Sequence, residues 1–291
     1  MREFGVRTDD GGELSGIDFG GDGPAVLATH YPGFGPLQLS GLADALRGRA
    51  RLVALALRGH AGSTAEPVVG SADPDDFGRV AQALGLDRPV LLTQSATNAA
   101  AAAAAIARPD AFRALVLVNG LFPAVAEPHE LNHENPIDED FGPQMTERLG
   151  LDTVARTPQE REELIDAITE RATRDWLLDV DRDLRPEIAF GVRETEGGWI
   201  YRPTTDVLVT AFSLPTQGPY VPLRATYGRI PVPVHVVVGE TSFDHPGGTD
   251  VDTLADELPG VDVTVLDAGT FPLYSHADRI AQIVLGAARD A

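Results

Sequence analysis

The amino-acid sequence predicts an α/β protein with a mostly parallel sheet and helices on both faces. Three observations carry that expectation. Short apolar runs at 25–28, 51–57, 89–93 and 114–118 alternate with helical patterns, the rhythm of strands joined by helical crossovers. The rhythm returns at 232–238 and 261–266 after a long interruption. The chain has 291 residues, 43% of them hydrophobic, which is enough to bury a large core.

Each element has a local cause. Apolar residues at 4–8 and 14–19 flank Asp9-Asp10-Gly11-Gly12, a hairpin signal. Gly20-Gly21-Asp22-Gly23-Pro24 then breaks the chain before the strand at 25–28. Helical patterns at 37–47 and 75–84 bracket the next strand, and the alanine run at 99–107 has the strongest helix propensity of all. From 121 to 228 the chain becomes rich in charge and holds both tryptophans, with its strongest helical pattern at 158–183. This stretch is expected to form a mainly helical cap inserted after the sixth strand. Residues 1–120 and 229–291 then form one core domain. The closing elements are a helix near 251–258, the strand 261–266 and a helix at 277–288.

Composition excludes several chemistries. There is no cysteine, and all 23 basic residues are arginine. Thiolate nucleophiles, disulfides, Schiff-base lysines and a Walker lysine are therefore absent. Forty-four carboxylates against 23 arginines give a net charge of −21, which disfavours nucleic acid as a partner. Met1 to Gly5 lacks the pattern of a secretory signal, and no apolar stretch is long enough to span a bilayer. A cytoplasmic protein without a membrane partner is expected. No Gly-x-Gly-x-x-Gly follows a strand, so no nucleotide cofactor is implied. His129 and His133 have the spacing of one helix face, but Pro128 and Pro136 crowd them and no third ligand is evident. No metal site is expected.

Several motifs occur together and in order. They are Leu55 to Ser63, reading Leu-Ala-Leu-Arg-Gly-His-Ala-Gly-Ser; His30 with Pro32-Gly33; Arg113 to Asn119; Val236 to Glu240; and Asp267 to Pro272. In these the chain resembles the α/β-hydrolase superfamily, in the capped branch of epoxide hydrolases and haloperoxidases. The resemblance implies a nucleophile on a sharp strand-to-helix turn, a histidine base and an orienting acid.

The nucleophile turn reads Thr93-Gln94-Ser95-Ala96-Thr97, followed by Asn98. Ser95 is kept, while threonines stand where glycines are expected and Gln94 replaces a histidine. The family's Gly-His-Phe-Pro appears as Gly269-Thr270-Phe271-Pro272. Threonine cannot exchange a proton near neutral pH. At the acid position Gly239-Glu240-Thr241-Ser242 carries serine, with Asp244 two residues further on, and Asn119 fills the alternative acid position. The oxyanion loop places Pro32, which has no N–H, at the donor position; a one-residue shift would use Tyr31. The resemblance therefore implies a degenerate triad.

The leading expectation is a cofactor-independent enzyme that has given up triad hydrolysis. It would cyclise, isomerise, eliminate or form a carbon–carbon bond on a hydrophobic small molecule, as in natural-product biosynthesis. Ser95, Gln94 and Thr270 would act as neutral hydrogen-bonding groups, with Asp244 or His245 as any general base. His30, Tyr31, Asn119, Trp176, Trp199 and Tyr201 are candidate substrate contacts. Two alternatives differ in class: a serine hydrolase using Ser95 with His245 or His276, and a non-catalytic ligand-binding protein. A homodimer is left open.

Overall fold

A computed structural model describes residues 1–120, 140–175, 180, 182–213, 224–242 and 255–289. The hairpin β1 (Arg2–Arg7) and β2 (Glu13–Gly20) is antiparallel and packs by β2 on the edge of β4 (Arg51–Leu55). From there the sheet is parallel through β3 (Ala25–Thr29), β5 (Val90–Gln94), β6 (Ala114–Val118), β10 (Val234–Gly239) and β11 (Val261–Leu266), in the order β1-β2-β4-β3-β5-β6-β10-β11. The parallel strands are near-continuous Val, Leu and Ala because both faces are covered.

Period-two alternation divides their side chains between two cores. Leu27, Val53, Leu91, Leu115 and Val236 face α2 (Pro74–Ala83) and α3 (Thr97–Ala107), meeting Phe77, Val80 and Ala104. Val26, Leu52, Val90, Val116 and Val237 face α1 (Ser40–Leu46) and the C-terminal helix, meeting Leu42, Leu46, Ile280 and Val284. The helix α3 is buried from Thr97 to Ala105, and only a run of small side chains lets it lie so close to the sheet. Asp73 caps α2 in a capping box with Asp76.

Between β6 and β10 the described insertion holds α4 (Phe141–Leu149), β7 (Val154–Ala155), α5 (Pro158–Arg174) and α6 (Arg185–Gly191), then β8 (Val192–Thr195), β9 (Gly198–Tyr201), α7 (Thr205–Phe212) and α8 (Arg224–Tyr227). Its strands pair antiparallel as β7-β9-β8. The described insertion is mainly helical, as expected, and adds a small sheet that was not: the sequence Arg193-Glu194-Thr195-Glu196-Gly197-Gly198-Trp199 is a glycine-turned hairpin that the helical pattern upstream overshadowed. Ile165, Ile168, Ile188, Tyr201 and Leu208 of the insertion share one core with Tyr31 and Phe271, which follow the carboxyl ends of β3 and β11. The insertion thus packs over the end of the sheet where ligands bind in open α/β folds. After β11 come α9 (Pro272–Ser275) and α10 (Ala277–Ala287). Among the described residues no helix is long and apolar enough to cross a membrane.

Candidate active site

Ser95 sits between the end of β5 and the start of α3 with φ of +53°. A non-glycine residue holds this left-handed conformation only where its surroundings fix it. Here they do. The Ser95 N–H donates to Val118 O at 3.0 Å, and Ser95 O accepts from the Asn98 N–H at 3.0 Å. Gly120, at φ +101°, lies so close that an added Cβ would stand 2.7 Å from Ser95 Cα. The turn therefore has the backbone of a nucleophile elbow despite its threonines. Thr93 fits because its hydroxyl donates to Asn98 Oδ1 at 2.8 Å, and Asn98 Nδ2 donates in turn to Asn119 O. Among the described residues Ser95 Oγ forms no hydrogen bond, and the Ala96 N–H has no acceptor.

Gln94 turns under the loop after β3. Its Nε2 donates to Thr29 O at 2.9 Å and to Gln38 Oε1 at 3.2 Å, so its donors are spent on the loop after β3. Gln38 Oε1 also accepts the Tyr31 N–H at 2.8 Å. The Gly33 N–H donates to His60 Nε2 at 3.1 Å, and the Phe34 N–H to Tyr31 O. With Pro32 lacking a donor, every N–H from 31 to 34 is committed elsewhere or absent. The one-residue shift to Tyr31 thus supplies no oxyanion donor.

His30 is fully buried, with Nδ1 against Tyr31 O at 2.9 Å and Nε2 accepting the Leu57 N–H at 3.0 Å. Both nitrogens hold backbone and neither is left for a ligand, which corrects its expected place among the substrate contacts. Burial lowers its pKa to about 4, so the ring is neutral. His60 is held the same way by Arg58 O and Gly33 N–H, and burial pushes its pKa well down too.

At the base position Thr270 is buried on the loop after β11. Its carbonyl accepts from Asn119 Nδ2 at 2.8 Å, while Asn119 Oδ1 accepts the Gly239 N–H at 2.8 Å. Asn119 itself has φ of +47° and its N–H donates to Val237 O. Its amide is spent joining the ends of β6, β10 and β11, a correction to its expected substrate contact. Gly239 is required there because an added Cβ would lie 2.2 Å from Gly269 O. Ser242, at the acid position, is buried, and Glu240 is exposed.

His276 does not reach this place. Its Nδ1 meets Ser275 Oγ at 2.8 Å, and it lines a surface hollow with Asp44 and Ala45 of α1. His235 lies on β10 facing Asp262 at 3.7 Å. None of the four described histidines is hydrogen-bonded to Ser95. Asp244, His245, Trp176, His129 and His133 lie outside the described residues. Among the described residues no group of three side chains could hold a metal ion.

Tyr31 begins an aromatic cluster. Its ring stands 4.8 Å from Phe271 and 5.6 Å from Phe212, and Phe271 stands 5.3 Å from Phe34. Tyr201 is buried and its hydroxyl donates to Gly33 O at 3.2 Å, pinning the insertion to the loop. Trp199 is half-buried and packs on the same core.

Sequence reasoning missed Gln38 and a polar trio above it. Gln38 is a lone amide in the apolar run Leu37-Gln38-Leu39, a signal that was there to read. The trio is Glu187 of α6, buried, accepting from Tyr274 Oη and from Arg182, both at 2.6 Å. Arg182 also lies over the Tyr274 ring. Burial raises the Glu187 pKa, with Arg182 and Tyr274 opposing it. These residues are distant in sequence, and nothing in their local pattern announces the pairing.

A mostly parallel sheet, a serine elbow after its fifth strand and an insertion after its sixth define the class. The chain belongs to the alpha/beta hydrolase family, whose model matches residues 21–283. Among solved structures it is similar to an E-2-(acetamidomethylene)succinate hydrolase, with 18% identity over 98% of each chain and a TM-score of 0.70. It is also similar to a thioesterase domain from the curacin biosynthetic pathway, with 19% identity, 98% and 99% coverage and a TM-score of 0.66. A thermophilic esterase from Thermogutta terrifontis gives 18% identity, 98% and 97% coverage and a TM-score of 0.65. At such identities the likeness is one of fold. No curated protein matches the sequence.

Proposed function

We propose that this is a capped α/β-hydrolase-fold enzyme with a degenerate triad, and that it transforms a hydrophobic small molecule without hydrolysing it. The observation that carries the reading is the fate of the groups a hydrolase would use. Thr270 stands at the base position with its carbonyl clamped by Asn119, and the N–H groups of 31–34 that could have completed an oxyanion hole are engaged or missing. What is left is a strained serine with a free hydroxyl beside the unengaged Ala96 N–H at a helix start. Those two donors suit a carbonyl oxygen or enolate that gains charge while the substrate rearranges. The aromatic cluster supplies apolar walls, so positioning would contribute much of the rate. One structural relative belongs, by name, to a natural-product pathway, which supports looking for the substrate among such intermediates.

A second reading, a serine hydrolase with a displaced histidine, is favoured by one observation: the elbow keeps the positive φ of a nucleophile. His276 is excluded by its place against α1, which leaves His245. Candidate intermediates incubated with wild type, Ser95→Ala and His245→Ala, with products read by mass spectrometry, separate the readings. Rearranged product with substantial turnover in Ser95→Ala is expected. Hydrolysed product, with labelling of Ser95 by a fluorophosphonate and loss of both in His245→Ala, would overturn it. Tight binding without product would assign the fold to ligand capture.

A further inference from the structure

The insertion's hairpin carries two guanidinium groups, Arg193 and Arg202, that form no ion pair among the described residues, although the charge of Glu3 acts on Arg193. In the β8–β9 ladder Arg193 opposes Ile200, and the Arg202 N–H extends the pairing by donating to Gly191 O at 3.0 Å. Side chains alternate across a strand, so Arg193 and Arg202 share one face as diagonal neighbours, roughly 7–8 Å apart at the backbone. That face is turned to the Arg58–Ser63 turn of the core. The Arg193 Cζ lies 3.8 Å from where a Cβ would sit on Gly62, and the charge of Arg202 is felt at His60.

Elsewhere in this acidic chain arginines find carboxylates: Arg51 with Asp18, Arg58 with Asp76 and Asp10, Arg148 with Asp175, Arg185 with Glu162. Other described arginines without an ion pair, such as Arg7, Arg88 and Arg156, are exposed. Arg193 instead lies over the Phe190 ring at 4.3 Å, and its buried Nε has no partner. Arg202 donates no side-chain hydrogen bond among the described residues. Both are half-buried. Burial lowers both pKa values; the Glu3 charge opposes this at Arg193, while Arg193 lowers that of Arg202 further.

Two like charges on one face and partly out of water destabilise the folded chain unless negative charge offsets them, and Glu3 acts on Arg193 alone. We propose that Arg193 and Arg202 form a binding site for a phosphate-monoester group. A dianion neutralises both cations, and its tetrahedral oxygens accept from two planar guanidiniums at once. A carboxylate, with one charge, would answer only one of them. The site lies above the end of β4, which β3 separates from the Ser95 strand, about 10 Å across the sheet. It is distinct from the Ser95 elbow and stands on its own residues, whatever Ser95 does.

The test uses the full chain and inorganic phosphate, with phenyl phosphate, benzoate and chloride at matched ionic strength, pH 7.5. Phosphate and phenyl phosphate are expected to raise the wild-type Tm by at least 2 °C at 20 mM, with benzoate and chloride doing less. Arg193→Gln and Arg202→Gln should each weaken phosphate binding by about tenfold in calorimetry, and the double variant should abolish it. Without phosphate, Arg202→Gln should leave Tm unchanged or raise it, since a repulsion is removed. The proposal is overturned if phosphate acts no better than chloride, if benzoate matches it, or if the shift survives in the double variant. A marked fall in Tm for Arg202→Gln without ligand overturns it too, because the pair would then be structural.

Discussion

Changing Asn119 to aspartate restores the acid that the family carries after its sixth strand, and the structure says it should harm the protein rather than revive a triad. Asn119 Nδ2 donates to Thr270 O at 2.8 Å and lies 3.5 Å from Gly269 O, while Oδ1 accepts from the Gly239 N–H. An ionised carboxylate in its place keeps the last bond, loses the donor and points negative charge at two carbonyls. An unsatisfied buried acceptor costs about 1–3 kcal/mol, and the added repulsion brings the total to about 2–4 kcal/mol. Protonation repairs the damage, since a neutral carboxyl can donate to Thr270 O. The folded pKa of the introduced carboxyl is therefore raised above its unfolded value. Its contribution is favourable at low pH and is lost as pH rises through the folded pKa, at about 1.4 kcal/mol for each pH unit that separates the folded and unfolded values. Urea denaturation of Asn119→Asp followed by circular dichroism at pH 5, 6.5 and 8 measures this as a difference from wild type. The deficit should be largest at pH 8 and about 1.5 kcal/mol at pH 5, about one pH unit above the ordinary aspartate value, with no gain in ester hydrolysis. A deficit below about 0.5 kcal/mol at pH 8, or one independent of pH, would refute the reasoning.

The wild type should itself lose stability in mild acid. His30, with its pKa at about 4, and His60, well below its usual value, are neutral when folded and take up protons on unfolding. Stability then falls as pH drops below about 6.5, by about 3 kcal/mol from His30 alone by pH 4; a flat urea midpoint between pH 7.5 and 5 would contradict this. Tyr274→Phe should cost about 1–3 kcal/mol by stripping Glu187 Oε1 of its donor. Combined with Arg182→Met it should be non-additive by more than about 0.5 kcal/mol in a double-mutant cycle; simple additivity would separate the two contacts.

The sheet was legible because its strands are local apolar runs. Residues 114–118 and 261–266 were placed to the residue, and the alanine run placed α3 to within two. The small sheet of the insertion was not, because four-residue strands bear no pattern that outweighs a neighbouring helix. The elbow was readable as Ser95 and the substitutions as Gln94, Asn119 and Thr270. What those residues do was not, since each is defined by a partner far along the chain: Gln94 by Gln38 and Thr29, Asn119 by Thr270 and Gly239.

Those partners bear on how the departures from the family pattern should be understood. A site decaying without function would accumulate replacements that do not bond to one another. Here Thr93 bonds Asn98, Asn98 bonds the Asn119 carbonyl, and Asn119 bonds Thr270 O and the Gly239 N–H. Two residues that break the pattern, Thr93 and Asn119, are thus links of one chain of hydrogen bonds that ends on the Thr270 main-chain carbonyl, anchored beside the strained Ser95 through Gly120. Gln94 is matched through Gln38 to the Tyr31 N–H, while the buried Thr97 hydroxyl and Gln38 Nε2 have no partner among the described residues. Such a network is strong when every member is satisfied and costly when one is lost. The bonded members together hold Ser95 in a conformation that costs energy, a reason to expect that the elbow is maintained for a task.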